Sequence, residues 1–271
     1  MVATRKQHVI AQYNTAEAAE EYARCYASPL QIDGRLRQER TTVVLDILAD
    51  LPGGRLLDAG CGSGALTHSL LVSERHDYEV AALDQSPAMV SHCANNVPKP
   101  EKFHAYVGDL EALPFADGTF DVTIVNGALE YTRTRAAITE VSRVTRPGGV
   151  VITSMLNPIS PYWITNWFLF APALRALGAV ERALGVRADR RHGSPRSGIW
   201  AVRPSDLRAM LRRAGLSRTE LTYLTPTLLV PPLDRFPAVV RHADRATDAV
   251  ARLGLAPLLA TEYLVVSRRN A

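Results

Sequence analysis

The residues with the clearest chemical potential form a glycine-rich turn, LLDAGCGSG, at positions 56–64. Its alternating glycines, Gly60, Gly62 and Gly64, carry no Cβ atoms, so a ligand can lie directly against the backbone. A helix is predicted to begin just after the turn, and the free N–H groups of its first residues suit a carboxylate or a phosphate equally well. The turn therefore predicts a cofactor site.

The glycines alone leave the identity of the cofactor open. Gly60, Gly62 and Ala65 also satisfy the pattern G-x-G-x-x-G/A of dinucleotide-binding turns, so a nicotinamide cofactor competes with S-adenosylmethionine. Against a nicotinamide-dependent reductase, the chain lacks a Tyr-x-x-x-Lys pair, and none of its three lysines lies near the expected position.

Acidic residues at the ends of predicted strands add to this site. Asp58 precedes the first glycine by two positions, and Asp84 ends the next predicted strand. A carboxylate at the latter position can accept hydrogen bonds from the ribose hydroxyls of either cofactor. Asp109 follows the third predicted strand, where it can accept from an adenine amino group while the amide of Leu110 donates to the ring.

Alternating strands and helices are predicted to carry these residues to one edge of a sheet. The predicted strands span residues 55–58, 79–84, 103–107, 120–126, 150–155, near 218–224, and 262–267. The predicted helices include residues 65–72, 135–144 and 204–215, and another that starts at Ser86-Pro87. Such alternation indicates parallel βαβ units with right-handed crossovers, and therefore an α/β fold.

At these residues the chain resembles the class I S-adenosylmethionine-dependent methyltransferases, in particular the group related to ubiquinone and menaquinone biosynthesis methyltransferases. The matching segments are LLDAGCGSG, ALDQSPAMV, GDLEALPFADGTFDVTIVNGALEY and EVSRVTRPGGVV, with a weaker match in PSDLRAMLRRAGL. The resemblance implies a Rossmann-like, doubly wound seven-stranded sheet with helical cap insertions. It also implies the strand order 3-2-1-4-5-7-6, in which the last strand, residues 262–267, is antiparallel.

The resemblance also implies the residues that hold S-adenosylmethionine. They are Asp58, Gly60, Cys61, Gly62, Gly64, Asp84, Gln85, Met89, Asp109, Leu110 and Asn126. The turn residues would line the methionine part of the cofactor, and Asp58 would orient the turn. Asp84 and its neighbours would bind the ribose, Asp109 and Leu110 the adenine, and Asn126 would lie next to the sulfonium.

Methyl transfer needs a general base only if the acceptor must lose a proton. The candidates are Tyr131, Glu130 and His192, and each is also compatible with a structural role. Many relatives carry Glu-His where this chain has Glu130-Tyr131, so a mechanism that uses that histidine as the base does not carry over.

Breaks in the alternation define the predicted domain organisation. Residues 1–52 are predicted to form an N-terminal helical lid, and residues 157–200 a cap insertion for acceptor binding. The core is predicted to comprise residues 53–156 and 201–271. The cap is rich in Trp and Phe at helical spacing, which either packs the cap onto the core or lines an acceptor pocket. The predicted acceptor contacts are Tyr22, Trp163, Trp167 and Trp200.

Composition limits the partners. The most apolar stretch, residues 159–180, is broken by two prolines and an arginine, so no transmembrane segment is predicted. Without an apolar signal-peptide core, a cytoplasmic location is expected. Cys25, Cys61 and Cys93 are predicted to be reduced thiols, with no metal site. Ten arginines at positions 175–213, in a chain of net charge +4, indicate either a solvated helical surface or contact with an anionic substrate or a membrane.

The predicted function is methyl transfer to a small lipophilic or aromatic acceptor, by O-methylation in natural-product or quinone-type biosynthesis. A C- or N-methyltransferase is the alternative within this class. A non-catalytic cofactor-binding or membrane-peripheral protein is the alternative outside it. Nucleic acid is not expected as a partner, because the basic residues are not clustered with aromatics. A homodimer is compatible with the sequence.

Overall fold

A single mixed sheet organises the chain. The computed structural model describes Ile10 and residues 13–26, 32–73, 77–187, 191 and 199–271. The strands are β1 (Gly54–Ala59), β2 (Tyr78–Asp84), β3 (Phe103–Val107), β4 (Phe120–Val125), β5 (Thr145–Leu156), β6 (Leu216–Pro226) and β7 (Ala260–Arg269). They lie in the order β3-β2-β1-β4-β5-β7-β6, and β7 runs antiparallel to both of its neighbours. The predicted strand order and the antiparallel last strand are therefore confirmed.

Helices follow most of the strands. They are α1 (Ala16–Tyr26), α2 (Ile32–Ala49), α3 (Ala65–Val72), α4 (Pro87–Asn95), α5 (Thr134–Val144), α6 (Pro161–Thr165), α7 (Ala171–Ala183), α8 (Pro204–Arg213), α9 (Pro237–Val250) and α10 (Ala256–Leu259). The helix start predicted at Ser86-Pro87 is confirmed, because the Ser86 Oγ accepts the N–H of Met89 at 3.2 Å.

Both faces of the central strands are buried, which explains why strands such as β4 and β5 are nearly continuous apolar runs. Successive side chains of a strand point to opposite faces, and both Leu56 and Leu57 are fully buried. Helices α5 and α8 cover the face that includes Leu57, and α2, α3 and α4 cover the other. Because Val44 and Leu48 of α2 pack in that second core, α2 is a structural layer of the domain. The lid role predicted for residues 1–52 stays a prediction.

Two insertions pack together beside β5 and β7: the first follows β5 (described residues 157–187), and the second lies between β6 and β7 (residues 227–259). The Asn157 side chain donates to the carbonyls of Pro257 and Ala260, each at 2.9 Å. The Tyr162 hydroxyl donates to the Asp234 carboxylate at 2.9 Å, which joins the first insertion to the second. Among the helices of the described residues, none is long and apolar enough to cross a bilayer.

Candidate active site

A cleft opens where the parallel strands β1, β2 and β4 end. It encloses about 740 Å³ of space between the protein atoms, a volume that includes solvent at its open mouth. Its lining residues are Ile10, Tyr13, Tyr22, Gly60, Gly62, Leu83, Asp84, Gln85, Ser86, Met89, Gly108, Asp109, Leu110, Gly127, Ala128, Tyr131 and Thr132. The strand order reverses between β1 and β4. Doubly wound folds bind their ligands in the crevice at this point, beyond the carboxyl ends of the strands.

The glycine-rich turn forms one wall of the cleft. The N–H groups of Gly60 and Cys61 both donate to the Leu83 carbonyl, at 2.7 and 3.0 Å, so the turn folds over the end of β2. Gly60 has a φ of +85°, and a Cβ there would lie only 2.4 Å from the Cβ of Ala128. Glycine is therefore required at this position for both the turn and the close approach of the chain segment after β4.

Asp84 presents a fixed carboxylate to the cleft. One oxygen accepts the N–H of Gly62 at 3.0 Å, and the other accepts the N–H of Ser86 at 2.9 Å. Burial raises the pKa of Asp84, while these N–H donors oppose the rise. Each oxygen retains further lone pairs, so the group can also accept hydrogen bonds from ligand hydroxyls.

Asp58 supports the turn from behind the cleft. Its side chain is buried and accepts a hydrogen bond of 2.7 Å from the Thr67 hydroxyl on α3. Burial raises the pKa of Asp58 to about 6, although the Thr67 bond acts in the opposite direction. The bond links the end of β1 to the first turns of α3, the two elements that flank the glycines.

The wall beyond β3 combines apolar and polar groups. Buried Met89 and Leu110 both face the cleft. The Asp109 carboxylate accepts the N–H of Glu111 at 2.9 Å, which fixes its orientation at the edge of this wall. Gln85 lies beside them. Such a surface suits a flat heterocycle with a polar edge.

Three tyrosines form the mouth of the cleft. The ring of Tyr13 lies edge-on to those of Tyr22 and Tyr131, at centroid distances of 5.5 and 6.5 Å. The Tyr13 carbonyl accepts the Ser86 hydroxyl at 2.8 Å, which holds the N-terminal segment against the cofactor side. Burial and the neighbouring Tyr13 raise the pKa of Tyr131 well above its ordinary value. Its phenol is therefore neutral near pH 7, and it can donate a hydrogen bond but is a poor base.

Glu130 lies behind the lining. It is buried, and its backbone carbonyl accepts the N–H of Trp200 at 2.9 Å. Burial and the nearby Glu262 carboxylate raise the pKa of Glu130 to about 7, and Arg40 acts in the opposite direction. Glu130 is absent from the residues that line the cleft.

A buried ion pair beneath the cleft was not predicted from the sequence. The Nη1 atom of Arg40 lies 2.9 and 3.0 Å from the two carboxylate oxygens of Glu262. The guanidinium also packs against Gly127, where an added Cβ would lie 2.6 Å from it. One signal was available, because Arg40 lies four residues from both Leu36 and Val44, on the buried stripe of α2.

Other predicted cofactor residues stand just outside the cleft. The Asn126 side chain accepts a hydrogen bond from the Ser154 hydroxyl at 3.4 Å. The next two residues, Gly127 and Ala128, line the cleft instead of Asn126. The thiol of Cys61 is half-buried and its Sγ lies 3.6 Å from the carbonyl of Gly62. Gly64 packs against the buried Cys93.

The predicted acceptor residues separate into distinct places. Tyr22 lines the cleft. Trp163 is buried, stacks on Trp167 at a centroid distance of 5.6 Å, and donates to the Thr261 carbonyl at 2.7 Å. Neither tryptophan lines the cleft, and both belong to a separate apolar cluster beside β5 and β7.

Trp200 and His192 are the remaining site residues predicted from the sequence. The Trp200 residue is 62% exposed, although its backbone N–H donates to the carbonyl of Glu130, next to the cleft. His192 lies outside the described residues. The structure therefore brings the cofactor wall and the tyrosines together, whereas Trp163 and Trp167 pack as core residues of the insertion.

Comparison with known proteins identifies the domain. Residues 57–153 match a family model described as a methyltransferase domain. The chain is 34% identical over 143 residues to a malonyl-[acyl-carrier protein] O-methyltransferase of Dechloromonas aromatica, covering 52% of each chain. It is 34% identical over 140 residues to a demethylmenaquinone methyltransferase of Mycolicibacterium paratuberculosis, covering 51% of this chain and 56% of that one. The chain thus spans about half the length of these curated relatives.

A solved structure extends the likeness to the whole fold. A SAM-dependent methyltransferase from Thermotoga maritima aligns with a TM-score of 0.57 at 14% identity, covering 96% of this chain and 99% of that one. This likeness concerns the fold, and the seven-stranded sheet described above agrees with it. Over residues 57–153 the chain therefore carries a methyltransferase domain of the class I, S-adenosylmethionine-dependent type.

Proposed function

We propose that the protein transfers a methyl group from S-adenosylmethionine to an oxygen atom of a small lipophilic or aromatic acceptor, in natural-product or quinone-type biosynthesis. One observation carries the proposal. A single cleft joins the cofactor wall, built on the glycine turn and Asp84, to a mouth of three aromatic rings, Tyr13, Tyr22 and Tyr131.

The residues of the cleft fit the cofactor. At Gly60 a Cβ would overlap Ala128, so the glycine keeps the turn close enough to the chain after β4 to form a narrow cradle. Asp84 is fixed as an acceptor for ribose hydroxyls, and Met89 and Leu110 would pack on the purine. When bound, S-adenosylmethionine supplies an electrophilic methyl group on a positively charged sulfur, which is already a good leaving group.

The contribution of the protein is mainly alignment. Holding an acceptor in line with the methyl group removes much of the entropy cost of the reaction. The neutral phenol of Tyr131 would donate a hydrogen bond to the acceptor and orient it, while the rings of Tyr13 and Tyr22 would stack on it. Glu130, behind the lining, would act on Tyr131 and the adjoining backbone as a positioning residue.

The names of the relatives support the acceptor class. One is named a malonyl-[acyl-carrier protein] O-methyltransferase, and another a demethylmenaquinone methyltransferase. The aromatic mouth of this cleft favours a ring-bearing acceptor over a malonyl group.

Calorimetry with S-adenosylhomocysteine tests the cofactor site. Asp84→Ala should weaken binding by about 1.5–3 kcal/mol, the usual range for a hydrogen bond to a charged group. Asp77→Ala is the matched control, because Asp77 is an exposed residue that directly precedes the opposite end of β2, and this variant should bind as the wild type does. Unchanged affinity in Asp84→Ala, or tight NADH binding by the wild type, would reject the assignment.

A panel of acceptors tests the reaction. Phenols, quinols, carboxylic acids and amines would be incubated with the protein and methyl-deuterated cofactor, and labelled products identified by mass spectrometry. The proposal expects label on the oxygen of an aromatic compound. Label on carbon or nitrogen, or cofactor binding with no turnover of any compound, would contradict it.

A further inference from the structure

Helix α2 carries a second arginine close to the cleft, Arg37, one turn before the buried Arg40. The Cζ atom of Arg37 lies over the ring of Tyr22 on α1, 4.3 Å from its centroid. This is well within the distance of about 6 Å at which a guanidinium is attracted to the face of an aromatic ring. Arg37 is half-buried, so water competes less for its charge than at an open surface. Arg37 therefore connects α2 to one of the three tyrosines at the mouth.

Tyr22 in turn packs on the glycine turn. A Cβ added at Gly62 would lie 3.3 Å from the Cε1 atom of the Tyr22 ring. The N–H of Gly62 is also one of the two donors that fix the Asp84 carboxylate, at 3.0 Å. Tyr22 therefore covers the point at which the turn meets the carboxylate proposed to bind the ribose.

Helix α1 is held to the domain by few apolar contacts. It packs on α2 and on α4, which carries Met89 of the cofactor wall. Among the described side chains of α1, residues 16–24, only Ala19 is buried. An element with so little buried apolar surface opens more readily than the core. A single contact such as that between Arg37 and Tyr22 therefore has a large share in fixing its position.

The charge of Arg37 also acts on the segment after β4. Burial raises the pKa of Glu130 to about 7, while Arg40 and Arg37 act in the opposite direction. Ala128 and Tyr131, on either side of Glu130, line the cleft. Arg37 thus influences both α1 and the chain after β4, two of the segments that border the cleft.

From these contacts we propose that Arg37 is a positioning residue for the cofactor site, which stacks on Tyr22 and holds α1 closed over the glycine turn. Arg37 is not among the described residues that line the cleft, so it acts through Tyr22 rather than by touching the cofactor. If the cofactor binds only when α1 is closed, any time that α1 spends open lowers the apparent affinity in proportion. The inference rests on the cofactor assignment alone, and it holds whichever acceptor the cleft takes.

A double-mutant cycle measured by calorimetry with S-adenosylhomocysteine tests this role. Arg37→Met keeps the apolar stem and removes the cation, so it should weaken binding about three- to tenfold. Tyr22→Leu should also weaken binding, and adding Arg37→Met to it should cause little further loss, because Arg37 acts through the ring. Arg37→Lys should recover part of the affinity that Arg37→Met loses, since a cation is again available to the ring.

Arg55→Met is the matched control. The Cζ atom of Arg55 lies over the ring of Phe120, 5.7 Å from its centroid, and Arg55 stands at the end of β1 that is remote from the glycine turn. This variant loses a contact of the same kind away from the cleft, so it should bind S-adenosylhomocysteine as the wild type does. A second cycle with Arg37→Gln, whose side chain is polar but uncharged, keeps the test valid if methionine disturbs the packing.

The outcomes separate this inference from the cofactor assignment. Circular dichroism spectra like that of the wild type would show that the variants are folded. Wild-type affinity in Arg37→Met, equal losses in Arg37→Met and Arg55→Met, or fully additive losses in the cycle would overturn the positioning role and leave the cofactor site standing. Wild-type protein that fails to bind S-adenosylhomocysteine would overturn both.

Discussion

Replacing Arg40 by Met should destabilise the protein by about 3–5 kcal/mol, the usual cost of removing one partner from a buried ion pair. Arg40 is 3% exposed and Glu262 is 1% exposed, so water cannot replace the lost contact without local opening. Methionine retains most of the apolar volume of the arginine stem, so the loss reports the charge rather than a large cavity.

The same variant should show a defined pH dependence. Without Arg40, the pKa of Glu130 in the folded state should rise further, because the cation that favours its ionised form is gone. A carboxyl whose folded pKa exceeds its unfolded pKa destabilises the fold as pH rises. The penalty of Arg40→Met should therefore be larger at about pH 8 than at about pH 5.

Urea unfolding followed by circular dichroism measures these differences. Lys102→Met is the control, since it removes an exposed ion pair with Asp77, and it should cost far less stability than Arg40→Met. The double variant Arg40→Met/Glu262→Gln should lose less than the sum of the two single losses, because neither charge is left alone. A loss in Arg40→Met no greater than in Lys102→Met would refute the reasoning.

Other variants probe the site and the insertion. Glu130→Gln should flatten the stability profile between about pH 4.5 and 7, because the wild-type carboxyl, with its pKa raised to about 7, destabilises the fold by up to about 3 kcal/mol once ionised. Urea unfolding across that range measures this, and an unchanged profile would contradict it. Gly60→Ala should lower S-adenosylhomocysteine affinity at least about tenfold, since its methyl group would overlap Ala128. Calorimetry is the assay, and wild-type affinity would show that the turn can relax. Trp163→Ala should lower the free energy of unfolding by about 3–5 kcal/mol while leaving cofactor affinity unchanged. A parallel loss of affinity would place Trp163 in the site after all.

Local patterns predicted much of the fold. The apolar runs and the helices between them predicted the positions of the first strands. The predicted bounds agree closely with those of β1 to β4 and of α3. The helix before Pro147 ends at Val144, as predicted, but β5 begins earlier than expected, at Thr145. Thr145 pairs with Phe120 across a register shift, and this pairing overrides the local preference of Pro-Gly-Gly for a loop.

Long-range contacts account for what the sequence did not reveal. Arg40 and Glu262 are 222 residues apart, and only the folded sheet shows that they meet. The helical spacing of Trp163 and Trp167 is compatible both with lining a pocket and with packing a helix onto the core. Only the folded structure, in which Trp163 bonds to the carbonyl of Thr261 on β7, distinguishes the two. Tyr22 could be placed because an N-terminal segment that precedes the core can fold over its open edge.

The antiparallel β7 has a consequence for how the chain assembles. Strand β6 precedes β7 in the chain but reaches the rest of the sheet only through it. As the chain is synthesised, the edges of β5 and β6 therefore both expose unpaired backbone groups until residues 260–269 arrive to fill the slot between them. A β7 strand from a neighbouring nascent chain could pair with these edges of β5 and β6 before the chain's own β7 does. We therefore expect this step to be the one at which strand exchange between copies occurs most readily.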